Sequence, residues 1–270
     1  MRFALINSGL GLLATASELH QLRPDADLVI AMDPDGMPWG PRDPEEIAER
    51  SMTAAQAAAA YEPDVIVMAC NTGSVHALDV LRAAFEPGIP VVGTVPAIKP
   101  AAAAASSVAI WSTVATSESA YLRRLIEEFG SGADVTPVPC PGLATAVDAG
   151  DIPAIADAIA AAAERTPADC GAIVLGCTEY ELAADQIGAA APNAILFGSA
   201  TAVAAQTLRR AAPSGHELSV PDGGSRLGTL TVLLSGQVGA LPPAALIYRQ
   251  GRELAQLDAG LDPSPGVAAL

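Results

Sequence analysis

The sequence predicts an α/β protein with parallel sheet, arranged as two pseudo-symmetric halves, and three observations predict it. β-Branched apolar runs alternate with helical patterns along the chain. One pattern occurs twice, as Asp64-Val-Ile-Val-Met-Ala-Cys70-Asn-Thr72 and as Gly171-Ala-Ile-Val-Leu-Gly-Cys177-Thr-Glu179. Each copy is an apolar run that stops at a small residue and a cysteine, then meets hydrogen-bonding side chains and a helical pattern. Each copy also falls late in its half.

The elements follow in order. Arg2–Asn7 is strand-like and Leu12–Leu22 helical. Asp27–Met32 is a strand ending at Asp33, and a Pro/Gly-rich loop runs from Pro34 to Pro44. Glu45–Tyr61 is a helix with acids in its first turn, where the helix dipole favours them. The first cysteine strand and a helix over His76–Phe85 come next. Val91–Ala97 is a short strand ending in a Pro-flanked turn that holds Lys99 and Pro100.

After Pro100–Ala105 the pattern restarts. Ser107–Ser112 is a strand ending in hydroxyls, as Arg2–Asn7 ends in Asn-Ser. Glu118–Phe129 is a helix, Val135–Pro139 leads into Cys140-Pro141, and Ile152–Glu164 is a helix before the second cysteine strand. Ala194–Phe197 and a helix over Thr201–Ala211 close this half. Residues 212–228 read as a loop, Thr229–Leu234 as a last strand, Ala244–Leu257 as a last helix, and Asp262 to Leu270 as a frayed end. The expected domains are therefore 1–97 with 212–270, and 98–211.

Composition narrows the function. The chain has 270 residues, 51% of them hydrophobic and 4% aromatic, enough for a sizeable, Ala-rich core. A net charge of −16 argues against nucleic acid or an anionic membrane as partner. No apolar run reaches the roughly 18 residues of a membrane span. The start, Met1-Arg-Phe-Ala-Leu-Ile6, reads as a first strand rather than a signal peptide, and the expected location is the cytoplasm. Four cysteines without a Cys-x-x-Cys, and three scattered histidines, fit neither a disulfide framework nor a structural zinc site.

Cysteine is often just a small buried hydrophobe, and Cys140 and Cys170 are assigned to that role. Cys70 and Cys177 differ because they end strands. In open parallel sheets the ligand crevice lies beyond the carboxyl ends of the strands, and a thiol beside a helix N-terminus becomes a useful thiolate. Two such thiols offer a redox disulfide, a metal site, or acid–base work on two faces of one carbon. The last is a two-base racemisation. Asn71, Thr72, Ser74 and Thr178 suit a small carboxylate substrate, and Ser8, Thr113 and Thr116 fall at equivalent strand ends. The plain alternative for any of these hydroxyls is a helix N-cap.

Two rival motifs are weaker. Gly9-Leu-Gly11-Leu-Leu-Ala14, with Asp33 ending the next strand, is similar to a dinucleotide fingerprint, but Asn7-Ser8 separates strand from glycine. Pyridoxal phosphate chemistry needs a Schiff-base lysine, and Lys99 is the only lysine.

Ala69-Cys-Asn-Thr-Gly-Ser74, Gly93-Thr-Val-Pro-Ala-Ile-Lys-Pro-Ala101, Cys140-Pro141 and Leu175-Gly-Cys-Thr178 resemble the aspartate/glutamate racemase superfamily, with bacterial glutamate racemase nearest in pattern. Asn7-Ser-Gly-Leu-Gly11 and Pro38-Trp-Gly40 fit the same order. The resemblance implies two flavodoxin- or Rossmann-like domains with the active site in the cleft between them. It implies a racemase without cofactor, a homodimer, and supply of D-glutamate to peptidoglycan. It gives Cys70 and Cys177 the acid–base roles, each deprotonating one enantiomer, and places Pro38, Trp39 and Gly40 with the substrate.

Three helper positions depart from the pattern. Asn7 stands where glutamate racemases carry Asp, Glu179 where they carry His, and the acid after Cys-Pro, commonly Glu, corresponds to Asp148. Gly-Cys-Thr-Glu is more like the aspartate racemase branch. The alternatives are thus an aspartate or other amino-acid racemase, or a weakened homologue that binds amino acids without turning them over.

Overall fold

The computed structural model describes residues 1–212 and 227–259, with the backbone alone at 258–259. The tail read as frayed, and all of the 212–228 loop except residues 212, 227 and 228, lie outside the described residues.

The described chain forms two compact units, Met1–Thr94 with the return from Thr201, and Val95–Ala200. In the first, β1 (Arg2–Asn7), α1 (Leu12–Leu22), β2 (Asp27–Met32), α2 (Pro44–Ala59), β3 (Val65–Met68), α3 (Asn71–His76), α4 (Leu78–Phe85) and β4 (Val91–Gly93) follow one another. The second holds α5 (Ile98–Ala104), β5 (Ser107–Ser112), α6 (Val114–Ser117), α7 (Ala120–Phe129), β6 (Asp134–Pro139), α8 (Leu143–Ala149), α9 (Ile152–Arg165), β7 (Ala172–Leu175), α10 (Ala184–Ala190) and β8 (Ile195–Phe197). The chain then returns through α11 (Ala200–Ala211), β9 (Thr229–Leu234), β10 (Gln237–Gly239), α12 (Arg249–Leu254) and β11 (Asp258–Ala259).

The repeat is plain in the strand order. The first sheet runs β10-β9-β2-β1-β3-β4 and the second β6-β5-β7-β8. Each has its first strand in the middle, its second on one side, and its third and fourth on the other. All these pairs are parallel except β10 with β9. The order reverses between β1 and β3 and between β5 and β7, and crevices open at such reversals beyond the strand ends. Cys70 and Cys177 follow β3 and β7, the equivalent strands.

The central strands are buried on both faces, which is why they read as unbroken Val/Ile/Leu runs. α2 lays Ile47, Ala54, Ala55 and Ala58 onto the first sheet, in one core with Ile66, Met68 and Cys70. Leu122 and Leu125 of α7 do the same in the second core with Ile110 and Val174. β6 carries Pro137 and Pro139 without loss because it is an edge strand.

The structure corrects several sequence boundaries. The helix after Cys70 starts at Asn71 and breaks once at Ala77, rather than starting at His76. Strand β4 ends at Gly93, and Lys99 and Pro100 lie in the first turn of α5 rather than in a turn, since a proline there sacrifices no helical hydrogen bond. Helix α8, between Cys140-Pro141 and α9, has no counterpart among the elements expected from the sequence. The last helix is a 3₁₀ turn over Pro243–Ile247 followed by the short α12. Among the described residues no helix is long and apolar enough to cross a membrane.

Candidate active site

Each sheet is built up to its cysteine in a similar way. In the first unit Asn7 ends β1, fully buried, and its Nδ2 donates to the Ala69 carbonyl at 2.9 Å. Its Oδ1 accepts the Ser8 N–H at 2.7 Å. The side chain thereby ties the ends of β1 and β3 together across the reversal in strand order. Cys70 then caps α3: the Gly73 N–H donates to its Sγ at 3.4 Å. An N–H aimed at sulfur favours negative charge on it.

The helix after Cys70 is also fixed from its far side. Ser74 Oγ donates to the Met68 carbonyl at 3.2 Å and accepts the Thr94 N–H at 2.8 Å, while Thr94 Oγ1 donates to the same carbonyl at 2.9 Å. Thr94 follows β4, so the fourth strand holds the cysteine helix in place.

In the second unit Gly176 brings β7 against β5, its N–H donating to the Trp111 carbonyl at 2.7 Å. A Cβ there would lie 2.8 Å from that oxygen, so only glycine allows the approach. Cys177 leads into a 3₁₀ turn, Thr178–Ala183. Its Sγ–H donates to Glu179 Oε2 at 2.8 Å, and Thr178 Oγ1 donates to the same oxygen at 3.3 Å. Glu179 is 5% exposed, so this carboxylate is a buried proton acceptor beside a thiol.

The remaining residues expected in the site are placed as follows. Ser8, Asn71 and Thr178 are buried and Thr72 is half-buried, all within two residues of Asn7, Cys70 or Cys177. Thr113 caps α6, accepting the Thr116 N–H at 3.3 Å and donating to Thr116 Oγ1 at 3.0 Å. Thr113 follows β5 directly, as Ser8 follows β1, whereas Thr116 lies on α6 and not at the strand end. Asp148 is half-buried on α8. Pro38 is exposed and Gly40 half-buried, whereas Trp39 is 1% exposed and its Nε1 donates to Asp33 Oδ2 at 2.9 Å.

Sequence reasoning passed over Tyr180 and Glu181, three and four residues beyond Cys177. Tyr180 is fully buried and its hydroxyl donates to the Cys140 carbonyl at 3.4 Å. Burial raises its phenol well above the usual range, and Cys177, Cys140 and Glu179 add to the effect. Glu181 accepts Ser199 N–H and Oγ–H, both at 2.8 Å, and the Ala200 N–H at 3.2 Å, tying the turn to the end of β8. Ser74 does the same with the end of β4. The repeat itself was the signal: aligning the two cysteines pairs Gly73 with Tyr180 and Ser74 with Glu181.

All four cysteines are free thiols. Cys140 is 2% exposed, and burial pushes its thiol up to about 12, so it stays protonated and inert near neutrality. Among the described residues no group of three or more His, Cys, Asp or Glu is placed to hold a metal ion.

Solved structures share this fold. Glutamate racemase from Escherichia coli, solved with L-glutamate and the activator UDP-MurNAc-Ala, superposes with a TM-score of 0.76 at 25% identity over 96% of each chain. The RacE1 isoform from Bacillus anthracis gives 0.73 at 24% identity over 95% of each. The class so defined is that of two-domain α/β isomerases. The chain belongs to the Asp/Glu/Hydantoin racemase family, whose model matches residues 6–207. Its relatives include glutamate racemases of Pseudomonas putida, 32% identical over 83% of this chain and 87% of theirs, and of Herpetosiphon aurantiacus, 36% identical over 76% and 82%.

Proposed function

We propose that the protein is a glutamate racemase that inverts Cα by two-base proton transfer between Cys70 and Cys177. The observation that carries it is that equivalent strands of two repeated sheets each end in a cysteine whose sulfur is already hydrogen-bonded, Cys70 from the Gly73 N–H and Cys177 to the Glu179 carboxylate. One thiolate takes the Cα proton: the C–H bond breaks, an S–H bond forms, and the electron pair spreads into the substrate carboxylate. The other thiol delivers its proton to the opposite face and is left as thiolate. The two sulfurs exchange protonation states, and no electrons leave the system.

The helpers divide unequally. Glu179 accepts the Cys177 proton and returns it, which readies that sulfur as base or acid. Asn7 cannot accept a proton, and its side chain instead fixes the peptide before Cys70. Ser8, Asn71, Thr72, Thr113, Thr116 and Thr178 supply donors for the substrate carboxylates, with the Pro38–Gly40 segment and Asp148 completing the site. Glutamate is favoured by the relatives. The family relation carries the remaining assignments: no cofactor, a cytoplasmic homodimer, and D-glutamate for peptidoglycan.

One observation favours a second substrate. A buried carboxylate at Glu179 repels a second substrate carboxylate brought near it, which points to an amino acid without a side-chain carboxylate, while the Gly-Cys-Thr-Glu sequence itself is more like the aspartate racemase branch. Incubation with single L-amino acids in D2O, followed by mass and optical rotation, tests both. Deuterated, racemised glutamate is the expected result. Exchange confined to another amino acid moves the substrate; binding without exchange identifies a weakened homologue and overturns the racemase assignment.

A further inference from the structure

Asp33 entered the sequence reading as the acid of a dinucleotide fingerprint, and the proposed reaction makes no use of it. Yet its carboxylate, 6% exposed, collects four donors: the Gly36 N–H at 3.1 Å and Ser235 Oγ at 3.3 Å on Oδ1, and Trp39 Nε1 at 2.9 Å and Arg50 Nη1 at 3.3 Å on Oδ2. These come from the loop after β2, the end of β9, and α2. Ribose recognition by an acid at this place requires a free carboxylate oxygen. Here Asp33 is committed to protein groups, and Arg50 is held in turn by Glu46 at 2.9 Å.

What Asp33 fixes is Trp39, and Trp39 packs on the cysteine helix. A Cβ on Gly73 would lie 2.4 Å from Met68 Sδ and 3.2 Å from Trp39 Cζ3, so the indole and Met68 close over Gly73. Gly73 is the residue whose N–H donates to Cys70 Sγ. The second unit makes the same connection by another route. There the residue three beyond the cysteine is Tyr180, and it reaches the end of the second strand directly, at the Cys140 carbonyl. In both units an aromatic side chain joins the cysteine helix to the end of the second strand. In the first it stands on the loop, because Gly73 leaves room for it.

We propose that Asp33 and Trp39 are positioning residues for Cys70: Asp33 anchors the indole, the indole seats Gly73, and the Gly73 N–H holds the sulfur in the state that accepts a proton. The proposal rests on the assignment of Cys70 as a base, and its test is chosen to stand apart from turnover. The full-length protein is alkylated with iodoacetamide across a pH series, and Cys70 and Cys177 are followed separately by peptide mass spectrometry. The midpoint of each profile reports the thiol–thiolate balance, whereas access to the sulfur changes only the plateau.

Trp39→Phe and Asp33→Ala are each expected to raise the Cys70 midpoint by roughly half to one pH unit, with Cys177 unmoved. Asp33→Asn keeps one acceptor oxygen for the indole but sets its NH2 against the Gly36 N–H, and is expected to raise the Cys70 midpoint by less than Asp33→Ala does. If Asp33→Ala does not fold, Trp39→Phe carries the test alone, since it removes only the indole donor and part of the ring. An unchanged Cys70 midpoint in folded Trp39→Phe overturns the proposal, and so does an equal shift at both cysteines. Absence of racemisation with the expected midpoint shift would leave the positioning intact and remove the racemase assignment instead.

Discussion

Cys70 and Cys177 end equivalent strands of equally ordered sheets, yet their first partners have opposite polarity. Cys70 accepts a hydrogen bond from a backbone N–H; Cys177 gives one to a buried carboxylate. A donor favours thiolate, whereas a carboxylate acceptor orients an S–H and can take its proton. The polar anchor differs as well. Asn7 spends its amide on backbone, and Glu179 spends its carboxylate on the thiol. The repeat has kept the topology and the position of sulfur while the means of setting its proton diverged. Sheet order is spread over many backbone and core contacts, whereas the proton state of a thiol responds to the few groups close around it.

The largest effect should come from the sulfurs, where the two units are expected to behave alike. Cys70→Ser and Cys177→Ser are each expected to lower racemisation by at least roughly 10³-fold. Each variant keeps one base on one face, so slow α-deuteration without inversion should survive for one enantiomer in Cys70→Ser and for the other in Cys177→Ser. NMR of each pure enantiomer in D2O reads this. Normal rates in both variants, or exchange of the same enantiomer in both, would remove the two-face assignment.

The helpers should break the likeness. Glu179→Gln keeps size and an oxygen acceptor but cannot take a proton, and turnover should fall roughly 10²-fold with a changed pH profile. Asn7→Ala should act on stability first. It leaves the buried Ser8 N–H and Ala69 carbonyl without that partner, at a cost of about 1–3 kcal/mol in urea unfolding. A full-size catalytic loss in Asn7→Ala with unchanged stability would contradict its placement as a purely structural tie.

The smallest effect concerns Cys140, which follows the second strand of the second unit. Cys140 is expected to resist iodoacetamide at pH 8 in the folded protein, and Cys140→Ser to leave turnover within about twofold. Its thiol is raised from 9.0 to about 12, so the folded state binds its proton more tightly than the unfolded state does. That contribution is present in full below about pH 9 and is lost as pH rises toward 12. Wild-type protein should therefore lose more stability over that range than Cys140→Ser, as thermal melts at pH 8 and 10.5 would show.

Much of this was legible in the chain. β1, β2 and β5 fall where the apolar runs begin and end, because strands buried on both faces admit nothing else. The two cysteines stood out because the sequence around them repeats. Short helices were harder. α8 spans seven residues between two glycines after Cys140-Pro141, too short for a helical period to show. α5 was obscured by Pro100, a residue that breaks helices in their middle and suits their first turn. The start of α3 at Asn71 was within reach, since Cys70 followed three residues later by a small residue fits a cap as well as a strand end.

The sequence by itself determined the parallel sheets, their repetition, and which thiols end which strands, because those follow from runs of apolar residues and from chain order. Only the tertiary structure decided what each thiol faces. Trp39 bonds Asp33 near it in the chain but closes over Gly73 on a helix much further along, and no local pattern encodes that second meeting. Glu179 was visible beside Cys177, but its burial and its bond to the sulfur come from the tight 3₁₀ turn that follows β7. Backbone periodicity sets where the sulfurs lie. Packing among residues distant in sequence sets their protons.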